Sequence, residues 1–492
     1  MVGRLPKGWC LGHLCVNLKK IESMKRRELL KNGSLALGGL FLTPFAAKAN
    51  IFKEEFDGKK AKNIIFMVSD GMSIGTLQMA DMYSRRKLGR PSHWLSLYEQ
   101  NLVQRGLMDM ASASSVVTDS AAASSSWGGG HRVTNGSLNI GVNGEEYLPI
   151  LQKFKKAGKK IGLVTTVPVT HATPAGFSVY SKSRNSQEEI ASVYSGLGFE
   201  VIMGGGNKYF DAAQRKDKKD MYTVFRNKGY SVARNKAEMN AAPANKPLLA
   251  TFDEDALPYS TDHLSSSFMK NNIPTLAEMT SKAIGQLKDD KNGFVMQVEA
   301  GKVDWAAHGN DISGLIYDQL AFDDAVKVAV DFAKKDGNTL VVITTDHGNA
   351  NPGLIYGKKV DENFDRIQKF SQTNEWILQG ISSGDSTAKI KERISQANAG
   401  IMISDDQAKE IQSYYAKAQM EDGVYNPRHL PFKLLSQIQQ EYTSVGWISM
   451  DHSADYSEVA MFGPGSEKMK SFMKNTDMHT FLLKVAEVEN KF

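Results

Sequence analysis

Lys62-Asn63-Ile64-Ile65-Phe66-Met67-Val68-Ser69-Asp70-Gly71 is a short apolar run that ends in a polar turn. A run apolar on both side-chain parities reads as a buried strand covered on both faces, as in a parallel sheet. The pattern recurs at residues 160–166, 293–299, 339–346 and 458–463. Helical patterns lie between, at 148–156 and 315–334. Strands alternating with helices predict an α/β fold with a large, mostly parallel central sheet covered on both faces. The sequence contains no internal repeat.

In such sheets functional groups gather beyond the carboxyl ends of the strands. Asp70, Glu299 and Asp346 are all strand-ending residues here. One such carboxylate is ordinarily a turn or helix cap; three in one sheet point to a site. Val116-Val117-Thr118-Asp119-Ser120-Ala121-Ala122-Ala123 reads as a strand or loop turning into a helix. Ser120 then lies at a helix N-terminus, where free N–H groups and the dipole favour an anion. A capping serine is the plain alternative.

Asp304 and His308 are four apart, so a helix puts carboxylate and imidazole on one face, suited to a divalent metal or to a local hydrogen bond. Asp346 and His347 are adjacent, and Gly348 permits a sharp turn that would aim both at one ion. His452 adds an imidazole far along the chain, and His171, Thr173 and Arg184 follow the 160–166 strand. Imidazole with carboxylate and no thiolate suits zinc. The oxygen set Asp70, Thr173 and Glu299 suits magnesium. Two metals together clamp the attacking and leaving oxygens of a phosphoryl transfer, and an arginine forks onto the non-bridging oxygens. His13, His93, His131, His263, His429 and His479 read as ordinary core or surface residues.

The chain has 492 residues, 41% hydrophobic and 23% charged, enough for one large domain or two medium ones. Lys25-Arg26-Arg27 precedes an apolar run and Ala47-Lys48-Ala49, which together read as a twin-arginine export signal over residues 1–49. The run is shorter than the roughly 18–20 residues that span a bilayer. Met24 is the expected start of translation, and the mature chain, 50–492, holds neither Cys10 nor Cys15. Residues 1–49 carry nine basic and two acidic residues, a net +7 of the chain's +6, so the mature chain is near −1. The basicity is leader, and no nucleic-acid-binding surface is expected. Residues 205–290, polar and weakly periodic, read as surface elaboration. Residues 353–445 read as a second, an inserted cap, a subunit contact or a plain surface excursion, with a capping box at Ser404-Asp405-Asp406-Gln407 opening a helix over 407–418.

Asp70-Gly71-Met72, Thr118-Asp119-Ser120-Ala121, Glu299 to His308, Asp346-His347-Gly348, and His452 before Gly463-Pro464-Gly465 come in an order that resembles bacterial alkaline phosphatase. The resemblance covers most of residues 60–485. It implies a three-layer α/β/α sandwich, often found as a homodimer, that hydrolyses small-molecule phosphate monoesters in the periplasm or outside the cell. It implies Ser120 as the nucleophile that forms a phosphoserine, and Arg184 as the phosphate clamp. Asp304, His308 and His452 would hold the first zinc. Asp70, Asp346 and His347 would hold a second that activates the Ser120 oxygen. Thr173, Glu299 and a bridging Asp70 would hold magnesium.

Three departures stand out. His171 occupies the third-metal site where some relatives carry aspartate, so that site binds magnesium through water, or takes zinc or cobalt. Trp305 stands where some relatives have lysine or histidine, so phosphate should be held less tightly; a Trp305→Lys variant with unchanged phosphate inhibition would count against this. Asp451 and Ser453 flank His452 where glycine and threonine are common. The competing readings are a phosphodiesterase of the same superfamily, a sulfatase and a non-catalytic exported binding protein. No formylglycine motif surrounds Ser120, which argues against the sulfatase.

Overall fold

The computed structural model describes residues 56–491 apart from 57, 419, 422 and 423, so the leader and both cysteines lie outside the described residues. Ten strands form one sheet: β1 (Asn63–Ser69), β2 (Gln104–Asp109), β3 (Lys160–Pro168), β4 (Val201–Gly205), β5 (Ser231–Ala233), β6 (Leu248–Thr251), β7 (Phe294–Ala300), β8 (Thr339–Thr344), β9 (Ser457–Phe462) and β10 (Phe472–Lys474). Their order is β10-β2-β9-β8-β1-β7-β3-β4-β6-β5. All run parallel except β9, which is antiparallel to both its neighbours. The central β1, β7 and β8 are buried along their whole length, as continuous apolar runs require.

Helices cover both faces. On one lie α1 (Ser120–Gly129), α2 (Ala172–Ser178) and, farther on in the chain, Asn475–Val485; on the other lie Leu276–Leu287 and Ile312–Asp336. Strand alternation separates the two layers. Phe66 packs on Trp127 of α1 and Phe177 of α2, with centroids 5.1 and 4.9 Å away. Ser69, on the opposite parity, donates to Gln319 of Ile312–Asp336 at 2.6 Å.

Register sets the site. Val68 pairs with Glu299 on one side and Thr344 on the other, so Asp70, Glu299 and Asp346 emerge at one edge. β9 runs against the sheet, contrary to the parallel strand its apolar run suggested. Its reversal brings the lead-in residue His452 to that same carboxyl edge, where His452–Ser453 pairs with Gly348–Asn349.

Residues 205–290 are less peripheral than their composition suggests. They supply β5, β6 and the helix Leu276–Leu287. Strands of three and four residues are too short to display a period. Residues 353–445 form a group of helices with buried Ile390, Ile394 and Leu435. Ser404 caps Asp405–Tyr415 with the full capping box, two residues earlier than the expected start. Among the described residues no helix is long and apolar enough to cross a membrane.

Candidate metal centre and active site

Ser120 is the first residue of α1 and is 1% exposed. It is not the cap. Asp119 takes that role, accepting from Ala122 N at 2.9 Å, which leaves the Ser120 hydroxyl free to face His347 Nε2 at 3.2 Å. The other Asp119 oxygen accepts from Gly136 N and from Arg184 Nη1, both at 3.0 Å. Asp119 thus aims Arg184 across the start of α1. Its signal in the sequence was its place directly before Ser120, where an aspartate cap is favoured.

The remaining side chains form three groups that could each hold a metal ion: Asp304–His308–His452, Asp70–Asp346–His347 and Asp70–His171–Glu299. The helix Lys302–His308 puts Asp304 and His308 on one face, with His308 Nε2 at 3.4 Å from Asp304 Oδ2. His452 Nε2 lies 3.1 Å from His308 Nε2 and 3.6 Å from Asp304 Oδ1. His347 Nε2 lies 3.4 Å from Asp70 and 3.2 Å from Asp346. Thr173 donates to Asp70 Oδ2 at 3.3 Å. Every site residue expected from the sequence therefore lies in this one cluster.

Two observations test whether these residues fit cations. His308 Nδ1 lies 2.6 Å from Met450 O, and His452 Nδ1 lies 3.0 Å from Thr118 O. A carbonyl can only accept, so both Nδ1 atoms donate and both Nε2 atoms turn toward each other, 3.1 Å apart, where a shared proton or a metal ion must lie between them. Asp70 Oδ1, Asp346 Oδ2 and Glu299 Oε1 are also buried without any hydrogen-bond partner, which is costly unless a cation satisfies them.

Electrostatics agree. Burial, with Asp346, Asp304 and Glu299 nearby, raises the Asp70 carboxyl well above its ordinary range. Burial pushes Glu299 up to about 7 against the pull of a hydrogen bond from Thr165. It pushes Asp346 to about 6 against the Gly71 N–H. Burial would also raise Asp304, but the positive charge that His308, His452 and His347 carry once protonated, together with the Asn349 side-chain N–H, holds it below the usual carboxylate range. Burial keeps His347 and His171 neutral, with pKa values of about 3.

Several supporting residues carried no separate signal. Asn349 donates to Asp304 Oδ1 at 2.7 Å, and Thr345 accepts from Met72 N. Gly348 works differently from the expected turn. Its φ is not positive; a Cβ there would lie 2.3 Å from Asp455 Oδ2, so the residue is small to let the His452 ladder close. His171 has a divided position. Its Nε2 accepts from Arg184 Nη2 at 3.1 Å, while its Nδ1 is buried without a hydrogen-bond partner. Trp305 stands edge-on to His171, with centroids 6.0 Å apart. The Lys302 ammonium sits 4.8 Å from its ring centroid, so a cation is present behind the indole.

Buried carboxylates without protein cations, imidazoles with converging Nε2 atoms and a serine beside them at a helix start define a divalent-metal-dependent hydrolase of the α/β class. Comparison with known proteins narrows the class. The alkaline phosphatase family model matches residues 61–488. Alkaline phosphatase 4 of Bacillus subtilis is 29% identical over 439 residues, covering 87% of this chain and 89% of that protein. The crystal structure of Thermus thermophilus alkaline phosphatase superposes with a TM-score of 0.81 at 30% identity, covering 88% of this chain and 92% of that one. A cold-active alkaline phosphatase from Shewanella sp., 23% identical, shares the fold at a TM-score of 0.72 over 86% and 99% of the two chains. The chain belongs to the alkaline phosphatase family.

Proposed function

We propose that the protein is an exported phosphomonoesterase that releases inorganic phosphate through a phosphoserine on Ser120. The observation that carries this reading is the Ser120 hydroxyl, buried at the start of α1 and 3.2 Å from His347 Nε2, next in sequence to the Asp119 that holds Arg184. The donor chemistry favours zinc in the Asp304–His308–His452 and Asp70–Asp346–His347 groups and magnesium at Asp70, Thr173 and Glu299. With His171 present, the third group also accommodates zinc or cobalt. Bound there, divalent ions would supply Lewis-acid charge to the attacking and leaving oxygens.

The chain's own residues do the rest. Arg184, held by Asp119, forks onto two non-bridging oxygens and orients the phosphoryl group. The N-terminus of α1 favours its negative charge. Ser120 Oγ forms a bond to phosphorus as the ester oxygen leaves as the alcohol. Water then takes the phosphoryl group from Ser120, restoring the hydroxyl and releasing phosphate. Export through the 1–49 leader and assembly as a homodimer belong to the same proposal. The test is hydrolysis of an aryl phosphate against its bis-aryl diester. The monoester should be strongly preferred, since Arg184 and the third group suit an unsubstituted, dianionic end; preference for the diester would overturn the reading.

A further inference from the structure

Beside the metal centre lies a cavity of about 730 Å³. It shares His308 and Trp305 with the site, and its walls come from the second elaboration through Tyr414, Leu430 and Phe432. Its position relative to Ser120 is informative. Three imidazoles run in series away from the serine. His347 lies 3.2 Å from Ser120 Oγ, the His347 and His452 rings stack at 3.7 Å, and His452 Nε2 is 3.1 Å from His308 Nε2. In-line displacement places the leaving oxygen opposite the attacking one. The leaving side is therefore the His308 side, where the cavity opens.

The wall is built onto the site rather than draped over it. Asp311 caps Ile312–Asp336 immediately after the His308 helix, and its second oxygen accepts from Asn374 N at 2.6 Å. Asn374 exchanges side-chain hydrogen bonds with Gln439 at 3.1 and 2.6 Å. Gln439 belongs to the helix Phe432–Thr443, so that buried network registers Phe432 against His308. A Cβ on Gly309 would meet the Phe432 ring at 3.4 Å. The lining is mainly aromatic and aliphatic, with Met450 completing the floor. Its charged residues are Arg428 and Lys433 against Asp311, Glu375 and Asp451, so nothing there selects a second anionic group.

We propose that this cavity receives the leaving group of the substrate and selects uncharged aromatic alcohols, with Trp305, Phe432 and Tyr414 as its walls. The proposal rests on the Ser120 phosphomonoesterase reading. Phenyl and 2-naphthyl phosphate test it, because their leaving groups are of similar acidity and differ by one fused ring. The wild-type protein should show kcat/KM about tenfold higher for the naphthyl ester, as expected for burying one more ring against an apolar wall. Phe432→Ala and Tyr414→Ala should each move that ratio toward one. The ratio is insensitive to the fraction folded, since both esters report on the same molecules. Equal kcat/KM for the two esters, or a ratio unmoved in both variants, overturns the cavity assignment and leaves the phosphatase reading standing. No turnover of either ester overturns both.

Discussion

Replacing Gly71 with alanine puts a methyl group against Asp304, a ligand of the first metal in the proposed mechanism. Gly71 has φ +65°, and a Cβ there would lie 2.4 Å from Asp304 Oδ1. Ordinary contact begins near 3.4 Å, so Asp304 must retreat by about 1 Å, a misplacement that can cost about 100-fold in rate. The positive φ adds roughly 1–2 kcal/mol of backbone strain for any L residue. Gly337 isolates that second cost: its φ is +69° and nothing lies within 4 Å of its Cβ position. Gly337→Ala should lose about 1–2 kcal/mol in urea unfolding and Gly71→Ala more than that. Only Gly71→Ala should lose metal from the Asp304–His308–His452 group, read by elemental analysis, and with it about 100-fold in kcat. Wild-type metal content and turnover in Gly71→Ala would refute the placement of Asp304 as a ligand.

Two further outcomes follow from the electrostatics and the phosphate grip. Glu299 and Asp346 are raised by burial to about 7 and about 6, so below those values a proton occupies each oxygen that a metal needs. Asp70 is raised in the same direction, so metal affinity should fall as pH drops, by up to about tenfold per proton per pH unit; equal affinities at pH 5.5 and 8 by calorimetry would contradict this sign. Arg184→Ala removes charge-assisted bonds worth about 1.5–3 kcal/mol, so inhibition by inorganic phosphate should weaken about 10- to 100-fold while metal content stays constant.

The site was more legible than the fold around it. Asp70, Glu299 and Asp346 announced themselves because each ends a continuous apolar run, and Asp304 with His308 because four residues make one helical turn. β2 gave no such signal. Its sequence Gln104–Asp109 is mostly polar and half exposed, since it lies near the sheet's margin between β10 and β9. The direction of β9 was also hidden, because burial on both faces looks the same in either orientation. Asp119 and Thr165 were passed over because their role is to hold other site residues, Arg184 and Glu299. That work is done by hydrogen bonds between elements far apart in sequence, as are the bond from Asn349 to Asp304 and the bond from His308 to Met450, and spacing carries no trace of them.

Ser120 carries the central claim, and trapping the covalent species tests it most directly. The protein is mixed with an aryl phosphate, quenched in acid and digested, and the peptide containing Ser120 is weighed. The account predicts one phosphoryl group on Ser120 in the wild-type protein. It predicts none in Ser120→Ala, which should keep its metals and its fold and lose turnover. A phosphoryl group on another residue, or wild-type turnover by Ser120→Ala, would contradict it.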